Sequence, residues 1–313
     1  MGSGSWTASN YCAYSCSVGR DYDTKTKTFK ANYKSASQAY KSRTIDKTMD
    51  PMNVVRECKD TEEHPNTIPI ILALDVTGSM GDTALQVQKK LNPLMIKIYE
   101  EIKDAELMVM AIGDLAYDDY PIQISQFESD IRIAENLDKI YFESGGGGND
   151  YESYTSAWYM GVKHCKLDCW GRGKKGLIIT MGDEPINPYL PRRPLEKVTG
   201  DSLQDDIETK ELYKQTKEKF DIYHICVESN SYPEQDREKK TFDKILGSQN
   251  VMISSVEDIS DKILSIIKDF SRNSNQSIVE SFVEGNATDE DKEFIEITSS
   301  ESKTPSKDEE ISW

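Results

Sequence analysis

The sequence predicts a doubly wound α/β domain: a mostly parallel, six-stranded, Rossmann-like sheet with one antiparallel edge strand. Three observations carry that expectation. Continuous apolar runs recur along the chain, namely Ile68-Pro-Ile-Ile-Leu-Ala-Leu-Asp75, Leu107-Met-Val-Met-Ala-Ile112, Gly176-Leu-Ile-Ile-Thr180, Phe220-Asp-Ile-Tyr-His-Ile-Cys-Val227 and the shorter Val251-Met-Ile-Ser254. Runs without alternation are buried on both faces, as the strands of a parallel sheet are. Stretches of helical periodicity separate these runs, and strand alternating with helix builds a parallel sheet. Finally, Ile122 to Phe127 alternates apolar and polar residues, as an edge strand does.

Taken in order, residues 1–67 are polar, rich in Ser, Thr, Lys and Tyr, and show little periodicity. Gly19 to Arg43 reads as an extended arm or a short helix, loosely ordered or wrapped around the neighbouring domain. The domain proper is expected over residues 68–273. Residues 81–103 place Ala84, Val87, Leu91, Met95, Ile98 and Ile102 on one side of a helix, with a kink expected at Pro93. Residues 150–164, 203–218, 236–247 and 256–271 also read as helices. The segment 274–313 forms a separate tail. From Asn273 to Trp313 there are eleven acidic and three basic side chains, a composition that predicts disorder.

Composition excludes several functions. The net charge is −17 with 30% charged residues, which argues against nucleic acid and anionic membranes, since both attract basic patches. No apolar run approaches the length of a membrane span. The start, Met1-Gly-Ser-Gly-Ser-Trp6, lacks a basic-then-apolar leader, so a cytoplasmic protein with its six cysteines reduced is the expectation.

Function should lie where strands end. In doubly wound sheets, ligands bind at the carboxyl edge near the point where strand order reverses. Three strand ends carry an acid: Asp75, Asp114 and Asp183. In Asp75-Val-Thr77-Gly-Ser79-Met80 the alternate residues can turn one carboxylate and two hydroxyls towards one point. Such hard oxygen ligands suit Mg²⁺, Mn²⁺ or Ca²⁺. The competing reading is a helix N-cap made by Thr77 or Ser79.

This loop resembles the D-x-[ST]-G-S-M segment of the von Willebrand factor A (vWA) domain family, which carries a metal-ion-dependent adhesion site. Three further segments are similar in order and spacing: Asp114 to Ile124, the loop Gly145-Gly-Gly-Gly-Asn149-Asp150-Tyr-Glu152, and Thr180-Met-Gly-Asp183-Glu-Pro185. The resemblance covers roughly Ile68 to Phe270, and favours the intracellular bacterial or phage type. It implies that Thr77 and Ser79 bind the metal directly, and that Asp75 and Asp183 bind it directly or through water. It also implies one oxygen ligand from the second loop. There the chain departs from the common Thr and offers Asn149, Asp150, Glu152 and Ser153, with Asn149 placed first by counting back from Glu152 and Asp150 second.

What the resemblance implies for function is a module that binds a protein partner through its Asp or Glu carboxylate. Intracellular members often work beside an AAA+ ATPase, whereas others serve adhesion. An enzyme is the alternative, with Asp75 as the nucleophile of a metal-dependent hydrolase or phosphatase. The second Asp such enzymes need is replaced by Thr77, so the expectation is no enzyme. Zinc binding by His164, Cys165 and Cys169 with Cys12 and Cys16 lacks knuckle spacing. His224 and Cys226 read as core.

Overall fold

The computed structural model describes residues 4–23, 28–30, 44–143, 148–228 and 235–286. Two compact units are present, Met1–Lys268 and Asp269–Trp313. The first begins with helix α1 (Ala8–Ser17) and the antiparallel pair β1 (Asp21–Asp23) and β2 (Thr28–Lys30). Strand β3 (Arg56–Cys58) precedes β4 (Ile68–Asp75), α2 (Gly81–Glu101), β5 (Ala105–Ile112), β6 (Ile122–Ile124) and α3 (Arg132–Asp138). Then come α4 (Thr155–His164), β7 (Cys165–Leu167), β8 (Gly176–Gly182), β9 (Tyr189–Leu190) and α5 (Arg192–Thr199). Strand β10 (Ile207–Glu208), α6 (Thr209–Thr216), β11 (Phe220–Val227), α7 (Gln235–Leu246), β12 (Val251–Ser254) and α8 (Ile259–Asn286) complete the order.

The central sheet has the order β12-β11-β8-β4-β5-β6, parallel throughout except for the antiparallel pairing of β5 with β6. This is the expected doubly wound α/β sheet with one antiparallel edge strand. The apolar runs end up where their composition sends them: every residue of β5 and β8 is buried. Successive β4 side chains serve opposite layers. Ile71 and Ala73 join a core with Met108, Ile178, Trp158 and Phe220. The other face meets α2, whose Ala84, Val87, Leu91, Met95 and Ile98 are buried at helical spacing. Pro93 lies inside that helix.

Strand order reverses at β4. From β4 the chain moves to β5 and β6 on one side, then returns to place β8, β11 and β12 on the other. The β4–β8 register sets Leu74 beside Met181, so Asp75 and Asp183 leave adjacent strand ends into one crevice.

The polar N-terminal stretch is more integrated than its composition suggests. The Trp6 amide donates to the Ser129 carbonyl (2.8 Å), the Ile124 amide donates to the Met49 carbonyl (2.9 Å), and β3 pairs with β7 in parallel. Trp6, Met49 and Cys58 are buried, isolated apolar anchors too widely spaced to produce a periodic signal. Helices α3 and α5 were not expected. The helix expected over 150–164 starts only at Thr155, and that expected over 203–218 starts at Thr209, because Ile207 and Glu208 pair with Leu190 and Tyr189. The second unit continues α8 to Asn286, past position 274 where the tail was expected to begin. Residues 287–313, which hold most of the acidic tail, lie outside the described residues, as do Gly145 to Gly147 of the second loop and most of Gly19 to Arg43. Among the described residues, no helix is long and apolar enough to cross a membrane.

Candidate metal centre

Asp75 is the last residue of β4 and is fully buried. The chain then turns through Val76 to Ser79 and enters α2. Asp75 Oδ1 accepts two hydrogen bonds from Thr77, one from its amide (2.9 Å) and one from its hydroxyl (2.6 Å). Thr77 Oγ1 lies 3.0 Å from Ser79 Oγ, and Ser79 Oγ donates to Asp183 Oδ1 at 3.0 Å. Four of the expected ligands, Asp75, Thr77, Ser79 and Asp183, therefore form one continuous chain of oxygens. The N-cap position of α2 is taken by Met80, not by Thr77 or Ser79.

Proton counting reveals what the chain lacks. Three oxygen–oxygen contacts require three protons, and the two hydroxyls carry two. If Thr77 donates to Asp75 and Ser79 to Asp183, the Thr77–Ser79 contact sets lone pair against lone pair. Either a carboxyl group takes up a third proton, or a cation accepts the converging lone pairs.

The surroundings make ionisation costly in the absence of a cation. Burial pushes the Asp75 carboxyl up from the ordinary range, and the nearby charge of Asp183 adds to that. Glu152 is raised further, by burial first and then by Asp75, Asp114, Asp118 and Glu184. Glu184 is pushed up to about 7 by burial and by Asp183. Glu152 Oε2 is buried with no hydrogen-bond partner among the described residues. A group of hard oxygens, mutually repelling, with an unused buried carboxylate oxygen, has the chemistry that fits Mg²⁺, Mn²⁺ or Ca²⁺.

The second-loop candidates separate clearly. Asp150 is exposed and ion-paired with Arg237 at 2.9 Å, so the structure does not bring it into the oxygen chain. Asn149 is half-buried and hydrogen-bonds the Tyr151 hydroxyl. Ser153 Oγ accepts the Leu115 amide at 3.0 Å. Glu152 is the acid from this loop that faces the charge of Asp75. At the third strand end, Asp114 turns back on its own loop, accepting the Ala116 amide (2.8 Å) while its own amide donates to Asp118 (2.7 Å).

Sequence reasoning missed Tyr154. Its hydroxyl donates to Asp75 Oδ2 at 2.5 Å and accepts the Glu184 amide at 3.2 Å. Tyr154 reaches this position because residue 182 is glycine: a Cβ there would overlap the phenol ring and hydroxyl. A glycine closing an apolar strand is a signal of close approach, though it does not say by what. The zinc reading of the 164–169 segment finds its histidine engaged elsewhere, with His164 Nδ1 2.8 Å from the Val54 carbonyl and Nε2 2.7 Å from Asp201. All six cysteines are free thiols.

No family model and no curated protein matches the chain. Among solved structures, it is similar to two structures of the pilus adhesin SpaC from Lactobacillus rhamnosus GG, one of them in an open conformation, each with 13% identity and a TM-score of 0.46 over 69% of this chain. It is also similar to proximal thread matrix protein 1 from the mussel byssus, with 12% identity and a TM-score of 0.45 over 66% of this chain. The matched region spans 31% and 32% of the SpaC chains and 48% of the mussel protein, so this chain corresponds to less than half of each.

Proposed function

We propose that Asp75, Thr77, Ser79 and Asp183, completed by Glu152 from the second loop, hold a divalent cation, Mg²⁺ or alternatively Mn²⁺ or Ca²⁺, and that the protein uses it to capture a carboxylate of a protein partner. The observation that carries this reading is the oxygen chain from Asp75 through Thr77 and Ser79 to Asp183, which is one proton short. The cation would supply a positive centre in an otherwise acidic crevice, and two of its protein ligands, Thr77 and Ser79, are neutral. Gly78 is exposed and Ser79 half-exposed, so one face of the loop is open to an approaching partner.

The alternative, a hydrolase or phosphatase with Asp75 as nucleophile, is less well supported. Asp75 is fully buried, Thr77 occupies one of its oxygens and Tyr154 the other. An acid so enclosed is built to hold, not to attack. An intracellular setting beside an AAA+ ATPase belongs to the proposal on the family resemblance alone.

Calorimetric titration of the full chain with Mg²⁺, Mn²⁺ and Ca²⁺ tests the metal step. One equivalent should bind in the wild type, with a matching rise in Tm, and Asp75→Ala should abolish both. Absence of binding by the folded wild type sinks the reading. Chelator-sensitive capture of an Asp- or Glu-bearing peptide library on immobilised protein, lost in Asp183→Ala, tests the partner step.

A further inference from the structure

A second constellation is made of different residues from the oxygen loop, with the Tyr154 ring, whose hydroxyl bonds Asp75, packed edge-on against its histidine, His224 (centroids 5.1 Å apart). His224 and Cys226 are alternate residues of β11, so their side chains leave the same face of the strand. That face meets the first turn of α7, where Glu238 stands. All three are fully buried, and His224 Nδ1 or Nε2, Cys226 Sγ and a Glu238 oxygen lie within 4.8 Å of one another. His224 Nε2 is 2.7 Å from Glu238 Oε1, and the Cys226 thiol hydrogen-bonds the same carboxyl group.

We propose that His224, Cys226 and Glu238 form a sulfur-containing metal site suited to zinc, which ties α7 to β11. The donor set differs in kind from the all-oxygen loop: one thiolate, one imidazole nitrogen and one carboxylate are borderline-soft ligands of the type zinc takes.

The histidine is already oriented for the task. Thr180 Oγ1 lies 3.3 Å from the Tyr223 carbonyl, to which its hydroxyl donates, and 2.8 Å from His224 Nδ1. Thr180 thus engages Nδ1 and leaves Nε2 as the ring nitrogen that faces Glu238. This outer hydrogen bond is how proteins fix the tautomer of a metal-bound histidine. The ring plane is held as well, stacked on Phe242 with centroids 3.4 Å apart.

Glu238 supplies the second independent observation. Its Oε2 has no hydrogen-bond partner among the described residues, although the side chain is fully buried. An ordinary core histidine–carboxyl pair accounts for Oε1 and leaves Oε2 unexplained; an ion beside the carboxyl group would supply the missing partner. Charge favours the ion too. Burial raises the Glu238 carboxyl well above its usual range, with Asp183 and Asp75 adding to it, and lowers the His224 ring. Both shifts disfavour a charged histidine–carboxylate pair in so enclosed a position. A divalent ion displaces the thiol and carboxyl protons to solvent, and the two anionic ligands cancel its charge, as so enclosed a position demands. Zinc ligands sit about 2.0–2.3 Å from the ion, so neighbouring donors stand roughly 3.5 Å apart. The carboxyl must retreat slightly from the ring and the sulfur draw in, both within side-chain reach.

Because the position is closed, the ion should enter during folding. The test unfolds the full chain in chelator, refolds it with Co²⁺ or Zn²⁺, and dialyses. One equivalent should be retained. The cobalt form should show a near-ultraviolet sulfur-to-metal charge-transfer band, which the oxygen loop cannot produce. Cys226→Ser should lose the band, and Glu238→Gln should weaken zinc at least tenfold. Cys12→Ser with Cys16→Ser, and Asp75→Ala, should keep the band, which separates this site from the exposed thiols and from the oxygen loop. A refolded wild type that retains no equivalent of metal overturns the proposal whatever the variants do. So does a band that disappears in the Cys12 and Cys16 variant.

Discussion

The Tyr154 hydroxyl donates to Asp75 Oδ2 at 2.5 Å across 79 residues of sequence, and both groups are fully buried. This bond connects the start of α4 to the end of β4 and leaves the other oxygen of Asp75 to the Thr77 loop. Removing it should be felt twice. Tyr154→Phe deprives a buried carboxyl of a donor and the Glu184 amide of its acceptor, so stability should fall by about 1–3 kcal/mol. Urea unfolding measures that, and metal titration of the same variant should show weaker binding because Asp75 is no longer held in place.

Gly182 and Tyr154 should be energetically coupled. A Cβ at residue 182 overlaps the tyrosine hydroxyl and ring, so Gly182→Ala should cost about 1–3 kcal/mol through overpacking. Placed on Tyr154→Phe, where the hydroxyl is gone, the same change should cost less. Unfolding of both single variants and the double variant gives the coupling, and simple additivity would contradict the close approach.

The second-loop acids should respond in opposite ways. Asp150→Ala removes an exposed partner of Arg237 and should leave metal affinity within about twofold, as surface ion pairs contribute little. Glu152→Gln should lower metal affinity by about tenfold or more, in keeping with the cost of disturbing a metal site. The same change removes a carboxyl crowded by Asp75, Asp114 and Asp118, so the metal-free protein should become more stable. Calorimetry and chelator-treated urea unfolding measure the two effects, and a loss in both would make Glu152 merely structural.

Glu143, whose amide donates to the Val76 carbonyl at 3.0 Å, sets a pH dependence. Burial, then the charges of Asp118 and Asp119, raise its carboxyl to about 7, against accepted hydrogen bonds from the Tyr120 and Asp119 amides. An acid whose folded pKa lies above its unfolded value binds more protons when folded. Its favourable contribution is therefore complete below the usual glutamate range and is lost as pH rises through about 7. Asp118, raised to about 6 mainly by burial, acts in the same direction. Chelator-treated protein should unfold at lower urea at pH 8 than at pH 5.5, and Glu143→Gln should flatten that slope.

How far the site was legible depends on the range of the interaction. Asp75, Thr77 and Ser79 are neighbours in sequence, so their shared direction follows from one short turn. Asp183 followed because it ends another buried run, and doubly wound sheets bring such ends together. Asn149, placed first by counting, could not be told from Asp150 and Glu152 by spacing alone. Which of them turns inward follows from tertiary pairing: the Glu152 amide donates to the Pro185 carbonyl at 3.2 Å, while Asp150 meets Arg237, 87 residues away, at the surface. Tyr154 was illegible for a related reason: an aromatic at the start of a helix has the same pattern whether it packs on a core or bonds a distant acid.

By itself, then, the sequence determined the alternation of strands and helices, an edge strand within Ile122 to Phe127, of which the structure pairs Ile122–Ile124, and the three acids at strand ends. These follow from periodicity and burial, which are local properties of the chain. Only the tertiary structure decided which groups share protons. It joined Thr77 and Ser79 to Asp183 across 104 residues, measured from Ser79, placed Tyr154 over Gly182, and stacked Glu238 against His224 and Cys226. Hydrogen bonds and metal ligation act over a few ångströms and require defined angles, so they are set by the register of packed elements and leave little trace in composition.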